Sequence, residues 1–154
     1  MIHIFVDGSA YYKSGLGGIG VYIIDSDKEY FISKGFRSTT ISRMEQIALL
    51  LALQSLDRTI PIQAVIYSDS QYVTKSFTEH RLERWEKMNW VGVANIDLWK
   101  LILEEIKNHP LLNFRIVHIR GHQEDVSCFK AFGNAVADIF ANFKIHKIYH
   151  ADYL

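Results

Sequence analysis

The chain has 154 residues and a mass of 17.8 kDa, which is the size of one globular domain. A composition that is 49% hydrophobic and 13% aromatic, with only 2 Pro and 9 Gly, excludes a disordered, collagen-like or low-complexity chain. The 17 basic and 17 acidic residues give a formal net charge of zero, so charge alone does not indicate a polyanionic partner.

The cysteine content and the N-terminal sequence predict the compartment. Cys128 is the single cysteine, so an internal disulfide is excluded, and residues 1–7 lack the basic and apolar regions of a secretion signal. No apolar run approaches the ~20 residues that are needed to span a bilayer. We therefore expect a cytoplasmic protein with no membrane partner.

Apolar periodicity predicts the secondary structure along the chain. Strands are expected at residues 2–6, 20–24, 30–36, 64–68 and 113–119, and helices at 42–56, 70–77, 96–108 and 134–147. Short turns join the first three strands, as in an antiparallel meander, whereas helices separate the later strands, which need right-handed parallel crossovers. The prediction is one α/β domain, residues 1–154, with a five-stranded mixed sheet flanked by helices.

A glycine-rich segment, Gly15 to Gly20, formally matches the G-x-G-x-x-G pattern of dinucleotide-binding loops. Such a loop must open a helix, because the N-terminal amides of that helix bind the pyrophosphate. Here the β-branched and aromatic run from Val21 to Ile24 predicts a strand instead. The glycines are therefore interpreted as a hairpin connection between the first two strands.

Two aspartates directly follow apolar strands. Asp7 ends the first predicted strand and Asp69 ends the fourth. In an open α/β sheet, ligands bind beyond the carboxyl ends of the strands, so neighbouring parallel strands would place both carboxylates at one crevice. Either residue alone could instead begin a turn or cap a helix, as Asp69 could for the helix at 70–77.

Glu45 is an acid on the face of its helix that is predicted to be buried. At ~100° per residue it shares a face with Leu49 and Leu53, whereas Arg43 and Gln46 lie on a polar stripe nearly opposite. A buried carboxylate costs several kcal/mol unless it has a partner. That partner is either a lysine or arginine, or a hard divalent cation that Glu45 binds together with Asp7 and Asp69.

The last predicted helix carries a polar row with i, i+4 spacing. Asn134, Asp138, Asn142 and His146 form this row. Periodicity alone makes it an ordinary solvated face.

Taken together, several segments resemble the type 1 ribonuclease H family, the enzymes that cut RNA in RNA–DNA hybrids. The matching segments, in chain order, are Ile4-Phe5-Val6-Asp7-Gly8-Ser9, Thr39-Thr40-Ile41-Ser42-Arg43-Met44-Glu45, Tyr67-Ser68-Asp69-Ser70-Gln71-Tyr72-Val73, Asn95-Ile96-Asp97-Leu98-Trp99 and Gly121-His122. The resemblance extends from residue 2 to about residue 142 and implies a ribonuclease H-like fold.

The resemblance implies an endonuclease that hydrolyses the RNA strand and leaves 5′-phosphate and 3′-hydroxyl ends. It implies four acids that bind two Mg²⁺ ions, with Mn²⁺ as a substitute: Asp7, Glu45, Asp69 and Asp138, the last because Asn134 precedes it by four residues. Two ions ~4 Å apart can activate a water and stabilise the leaving 3′-oxygen. It also implies that His122 assists proton transfer or product departure.

The sequence departs from the family in two places. The segment between His122 and Asn134 is longer than in typical bacterial members and carries Glu124 and Asp125, which makes Asp125 an alternative fourth ligand. Two asparagines that often precede R-M-E in the family are Ile41 and Ser42 here, so some minor-groove contacts must differ or be missing.

The resemblance also suggests which residues contact the hybrid, because a protein that selects a hybrid must detect the 2′-hydroxyl of one strand. Thr40 and Arg37 are candidates for a phosphate of the DNA strand. The remaining candidates are Gly8 and Ser9 through backbone groups, Ser42, Gln71, Trp85 and Asn134.

Residues 79–90 correspond to the substrate-binding protrusion of many bacterial members, which is strongly basic. Here three acids offset three bases, so phosphate attraction should be weaker. Trp85 and Trp90 are either a stacking surface or part of the core, and we expect at least one of them to anchor the protrusion.

Two other functions are compatible with this kind of fold. A non-catalytic binding module would tolerate loss of the four acids, yet all four are present. A DNA-directed nuclease of the integrase or junction-resolving type is disfavoured by the R-M-E and D-S-Q-Y-V segments. With four acids neutralised by cations, 17 basic residues face 13 remaining acids, so we expect a monomer with moderate affinity for hybrids.

Overall fold

Six strands and five helices form the part of the chain that the computed structural model describes, residues 1–121 and 128–153. The strands are β1 (Ile2–Tyr11), β2 (Leu16–Asp25), β3 (Lys28–Arg37), β4 (Ile62–Ser68), β5 (Leu112–His118) and β6 (Tyr149–Ala151). The helices are α1 (Ile41–Gln54), α2 (Gln71–Thr78), α3 (Arg81–Lys87), α4 (Ile96–Lys107) and α5 (Phe129–Ala141), and a 3-10 turn spans Phe143–Ile145. Within these residues, no helix is long and apolar enough to cross a membrane.

The strands form one mixed sheet in the order β5-β4-β1-β2-β3-β6. β1, β2 and β3 pair antiparallel, whereas β4 is parallel to β1 and β5 is parallel to β4. This confirms the predicted meander and crossovers. β6 is a sixth strand that the sequence prediction missed, because its three residues are too few to show an alternating pattern; it pairs in parallel with Gly35–Arg37 of β3.

The first hairpin explains the glycine-rich segment. Gly15 lies in the turn with φ +71°, a backbone conformation that glycine adopts without strain, and the chain then continues as β2 from Leu16. No helix follows the glycines, so a strand replaces the helix of a dinucleotide-binding loop as predicted, but only Gly15 lies in the hairpin connection and the other glycines belong to β2. β1 also extends to Tyr11, so Asp7 lies within the strand and not at its end as predicted.

Helix α1 is buried from Arg43 to Leu53 because it lies between the sheet and α4. The polar stripe opposite the predicted buried face is itself buried: Arg43 is 3% exposed and Gln46 is fully buried. Periodicity identified the stripe correctly, but α4 covers it. Glu45 is buried as predicted.

Helix α5 covers the other face of the sheet at very short range. A Cβ added to Gly20 would lie 2.2 Å from the carbonyl oxygen of Ala137, and one added to Gly18 would lie 2.4 Å from that of Ala141. The helix spans 129–141 and not the predicted 134–147. Cys128 caps its start through Sγ, and the side chain of Asn142 caps the following 3-10 turn.

The substitution Gly20→Ala tests this close packing. We expect it to lower the free energy of unfolding by about 2–3 kcal/mol, because the new methyl group would force the α5 backbone away from β2. Urea unfolding followed by circular dichroism measures the change. Gly92→Ala is the control, because a Cβ at this position would meet nothing within 4 Å. Only the φ of +75° at Gly92 disfavours alanine, and we expect this to lower the free energy of unfolding by about 1–2 kcal/mol. A smaller loss for Gly20→Ala than for Gly92→Ala would contradict the close packing.

Candidate active site

Three elements bring three carboxylates together. Asp7 comes from β1, Glu45 from α1, and Asp69 from the residue after β4; each offers an oxygen within 4.8 Å of the others. The β1–β4 register explains the pairing of the two aspartates, because Val6 is opposite Ser68 and the next residue of each strand is Asp7 or Asp69. Ser70, not Asp69, caps α2, since its hydroxyl accepts from the N–H of Val73.

Gly8 allows α1 to approach β1 closely enough for Glu45 to meet Asp7. A Cβ at Gly8 would lie 2.6 Å from the backbone nitrogen of Glu45 and 2.6 Å from the carbonyl carbon of Met44. Both atoms belong to the helix backbone, so any larger residue would displace α1. The glycine of the D-G-S segment therefore sets the distance between the first two acids.

Burial and mutual repulsion disfavour the charged forms of Asp7 and Glu45. Burial raises the pKa of Asp7 to about 8, and the neighbouring carboxyl groups of Asp69 and Asp138 add to the effect, against a hydrogen bond from the N–H of Gly8 to Oδ1 at 2.9 Å. Burial, then Asp7 and Asp69, raise the pKa of Glu45 well above its usual range. A bound cation would reverse this preference.

Glu45 has no basic partner in residues 1–121 and 128–153. No lysine or arginine of this part of the chain forms an ion pair with Glu45, and its Oε2 has no hydrogen-bond donor there. The salt-bridge alternative for Glu45 is therefore unsupported. An all-oxygen donor set with an unsatisfied buried carboxylate oxygen fits a hard divalent cation.

The acids lie in an open cleft of about 680 Å³. Asp138 of α5 lines it together with Asp7, Glu45 and Asp69, and its carboxyl group pairs with that of Asp7. Four of the residues predicted to contact substrate also line the cleft, namely Gly8, Ser9, Ser42 and Gln71. No lysine or arginine of the described residues does so.

Four other predicted substrate residues lie outside the cleft. Thr40 caps α1 and Arg37 donates to the carbonyl of Tyr149 at 2.8 Å, both at exposed positions. Asn134 is 4% exposed, and its Oδ1 has no partner within residues 1–121 and 128–153. Trp85 is half-buried, with its ring 5.9 Å from that of Trp99. His122 and Asp125 lie outside the described residues.

Two acids of the protrusion contact basic side chains of the same segment. Arg81 contacts Glu79 at 2.6 Å, and His80 contacts Glu83 at 3.1 Å. Trp90 is only 8% exposed and belongs to the hydrophobic core, which confirms that at least one tryptophan anchors this segment.

Sequence reasoning missed an ion-pair network beside the acids. The guanidinium of Arg43 binds both oxygens of Asp97, at 2.9 and 2.7 Å, and both oxygens of Asp152, at 2.9 and 2.8 Å. The hydroxyl of Thr39 also donates to Asp152 at 2.6 Å. The network fixes the start of α1 two residues before Glu45. The R-M-E segment marks Arg43, but no sequence pattern marks Asp152.

This network makes stability depend on pH. Hydrogen bonds from Arg43 lower the pKa of Asp97, and although burial opposes it, hydrogen bonds from Arg43 and Thr39 lower the pKa of Asp152. Carboxyls with lowered folded-state pKa values stabilise the fold above their unfolded-state pKa of about 3.9, and this contribution is lost as the pH falls through the lowered values.

We therefore expect Asp152→Asn to lower the free energy of unfolding of the metal-free protein by about 1–3 kcal/mol at pH 7. The difference from the parent should shrink as the pH falls below about 3.9. Urea unfolding at a series of pH values measures it, and the exposed Asp27→Asn serves as the control. A difference that stays constant down to pH 2 would contradict this linkage.

Comparisons with known proteins agree with this geometry. The RNase H family profile matches residues 1–145. Ribonuclease HI of Helicobacter pylori is 42% identical over 127 residues, which cover 82% of this chain and 87% of the relative. Ribonuclease H of Erwinia tasmaniensis is 34% identical over 142 residues, which cover 89% of this chain and 90% of the relative.

Solved structures show the same fold. The RNase H domain of prototype foamy virus has a TM-score of 0.72 and 25% identity, with 91% of each chain covered. The protease–reverse transcriptase of that virus has a TM-score of 0.80 and 25% identity over 96% of this chain, which corresponds to only 21% of the viral chain. The chain therefore belongs to the type 1 ribonuclease H family, the divalent-metal-dependent endonucleases that cut the RNA strand of RNA–DNA hybrids.

Proposed function

We propose that this chain cuts the RNA of hybrids with two Mg²⁺ ions held by Asp7, Glu45, Asp69 and Asp138, and that it leaves 5′-phosphate and 3′-hydroxyl ends. The observation that carries the proposal is the meeting of three carboxylates from separate elements in one open cleft, with Asp138 beside them. Mn²⁺ would substitute for Mg²⁺, because both accept oxygen ligands.

The four acids would share the task of holding the ions. When bound, such ions supply an activated water and neutralise the charge that develops at phosphorus and on the leaving oxygen. The chain contributes rigidity: the N–H of Gly8 fixes Oδ1 of Asp7, and the backbone contact at Gly8 fixes Glu45. Asp69 and Asp138 are less buried and complete the cluster on the open side. His122 would assist proton transfer or product release.

Substrate recognition would depend on hydrogen bonds and shape more than on charge. Ser42 and Gln71 bring a hydroxyl and an amide to the cleft, and these groups can detect a 2′-hydroxyl. The hydroxyl of Ser9 already donates to the carbonyl of Ala141 and accepts from the N–H of Phe143, so Ser9 would contact RNA through its backbone. Thr40, Arg37, Asn134 and Trp85 stay weaker candidates, because none of them lines the cleft.

Ile41 gives the cleft an apolar edge. It is 56% exposed, lines the cleft at the first residue of α1, and stands where the family often has asparagine. An aliphatic side chain at that place would contact sugar and base edges in the minor groove without a hydrogen bond, so its contribution would not depend on salt.

We also propose that residues 1–154 form a single domain and act as a monomer. The described strands belong to one continuous sheet, and the cleft is lined by residues of β1, α1, α2 and α5 from the same chain. Cytoplasmic location stays a prediction from the sequence.

A cleavage panel tests the proposed function. Labelled RNA–DNA hybrid, duplex DNA and duplex RNA are incubated with Mg²⁺ and the parent protein, Asp69→Asn or the exposed control Asp27→Asn. We expect hybrid-selective cleavage that falls by about 1,000-fold or more in Asp69→Asn, since losing one carboxylate ligand removes several kcal/mol of transition-state stabilisation at 1.36 kcal/mol per tenfold.

The other outcomes of the panel identify the alternatives. Cleavage of duplex DNA would favour the integrase-like nuclease, and hybrid binding without cleavage would favour the non-catalytic module. Asp138→Asn and Asp125→Asn in the same panel distinguish the two candidates for the fourth ligand, with Asp138→Asn expected to be the inactive one.

The salt dependence of the Michaelis constant tests the mode of recognition. No lysine or arginine of residues 1–121 and 128–153 lines the cleft, and three acids offset the three bases of the protrusion. We therefore expect log KM to rise with log salt at a slope of about 2 or less, since each neutralised phosphate adds about 0.7–0.9. Hydrolysis rates between 50 and 200 mM KCl at fixed Mg²⁺ give the slope. A slope of about 5 or more would show that many phosphate contacts dominate binding.

A further inference from the structure

We propose that Gly121 is a positioning residue for Asp69: the absence of a side chain at position 121 is what allows the Asp69 carboxylate to point into the acid cluster. This inference rests on the proposed role of Asp69 as a metal ligand. It concerns a residue just before the segment 122–127, at the edge of the cleft.

The evidence is the close approach of the Asp69 carboxylate to the position that a Cβ at residue 121 would occupy. A Cβ built on Gly121 would lie 2.5 Å from Oδ2 of Asp69, 3.2 Å from its Cγ and 3.3 Å from its Cβ. A separation of 2.5 Å is far inside van der Waals contact, which begins near 3.5 Å. The carboxylate therefore occupies the space that a side chain at position 121 would need.

Backbone conformation does not explain the glycine. Among the glycines of residues 1–121 and 128–153, only Gly15 and Gly92 have positive φ values. Gly121 therefore has a backbone conformation that alanine also adopts. The requirement for glycine comes from the neighbouring carboxylate.

The backbone leading to Gly121 is held against β4 and Asp69. Strand β5 is parallel to β4 up to the pair Ser68 and His118, and the N–H of Ile119 then donates to the carbonyl of Ser68 at 3.0 Å. The ring Nε2 of His118 also lies 3.2 Å from the carbonyl oxygen of Asp69. Because the strands are paired up to Ile119, we expect the side chain of Asp69 to rotate if position 121 gains a Cβ.

Gly8 provides a contrast within the same cleft. A Cβ at Gly8 would meet helix backbone, which cannot rotate away, so Gly8→Ala should destabilise the fold. A Cβ at Gly121 would meet the end of a side chain, which can rotate. The consequence of Gly121→Ala should therefore be a displaced ligand in a normally stable protein.

The experiment measures metal affinity and stability separately. For Gly121→Ala, titration calorimetry with Mg²⁺, repeated with Mn²⁺, should give a dissociation constant raised about tenfold or more, since a misplaced ligand loses most of its contribution. The urea unfolding midpoint of metal-free Gly121→Ala should equal that of the metal-free parent. The control Gly92→Ala, outside the cleft, should leave the metal dissociation constant unchanged.

A double-mutant cycle with Asp69→Ala identifies the route of the effect. Once the carboxylate is gone, adding Gly121→Ala should weaken metal binding no further. An additional loss in the double variant, or unchanged affinity in Gly121→Ala alone, would overturn the positioning role. A lowered urea midpoint with unchanged affinity would also overturn it.

The same cycle distinguishes this inference from the proposed function. If Asp69→Ala weakens metal binding and Gly121→Ala does not, only the positioning role fails. If Asp69→Ala leaves the affinity of the parent unchanged, the assignment of Asp69 as a ligand fails, and the role of Gly121 fails with it.

Discussion

The close approach of helix α1 to strand β1 is the constraint on which the cleft depends. Gly8 has no side chain, so the backbone of Glu45 reaches the strand that carries Asp7, and the β1–β4 register brings Asp69 beside them. The Arg43 network then fixes the beginning of the same helix. The positions of the acids are therefore set by backbone contacts around them, and their mutual repulsion opposes this arrangement.

That repulsion is also what makes the site suitable for cations. Burial and the neighbouring carboxyl groups raise the pKa of Asp7 and of Glu45, so their charged forms are disfavoured when no cation is present. Divalent cations would favour the charged forms and change the charge that the substrate meets. If the four proposed ligands are neutralised by cations, the formal net charge of zero becomes 17 basic residues against 13 acids.

The remaining positive charge is not concentrated in the cleft. Arg43 is buried in its own ion pairs, and Arg81 in the protrusion contacts Glu79. The cleft instead offers hydroxyl, amide and apolar groups, including Ile41. Such groups can detect sugar hydroxyls and groove shape, which is the basis of the proposed selection of a hybrid over both pure duplexes.

The sequence by itself determined the α/β class, the meander, the parallel crossovers and the burial of Glu45, because all of these follow from local apolar periodicity. Its motifs also indicated which acids meet. Only the tertiary structure decided that Arg43 and Gln46 are buried, since α4 covers their stripe, and that Asp152 reaches Arg43 across 109 residues. The tertiary structure alone showed β6 and the close approach of the Asp69 carboxylate to Gly121. Periodicity reports which residues share a face, whereas what covers that face depends on segments distant in the chain.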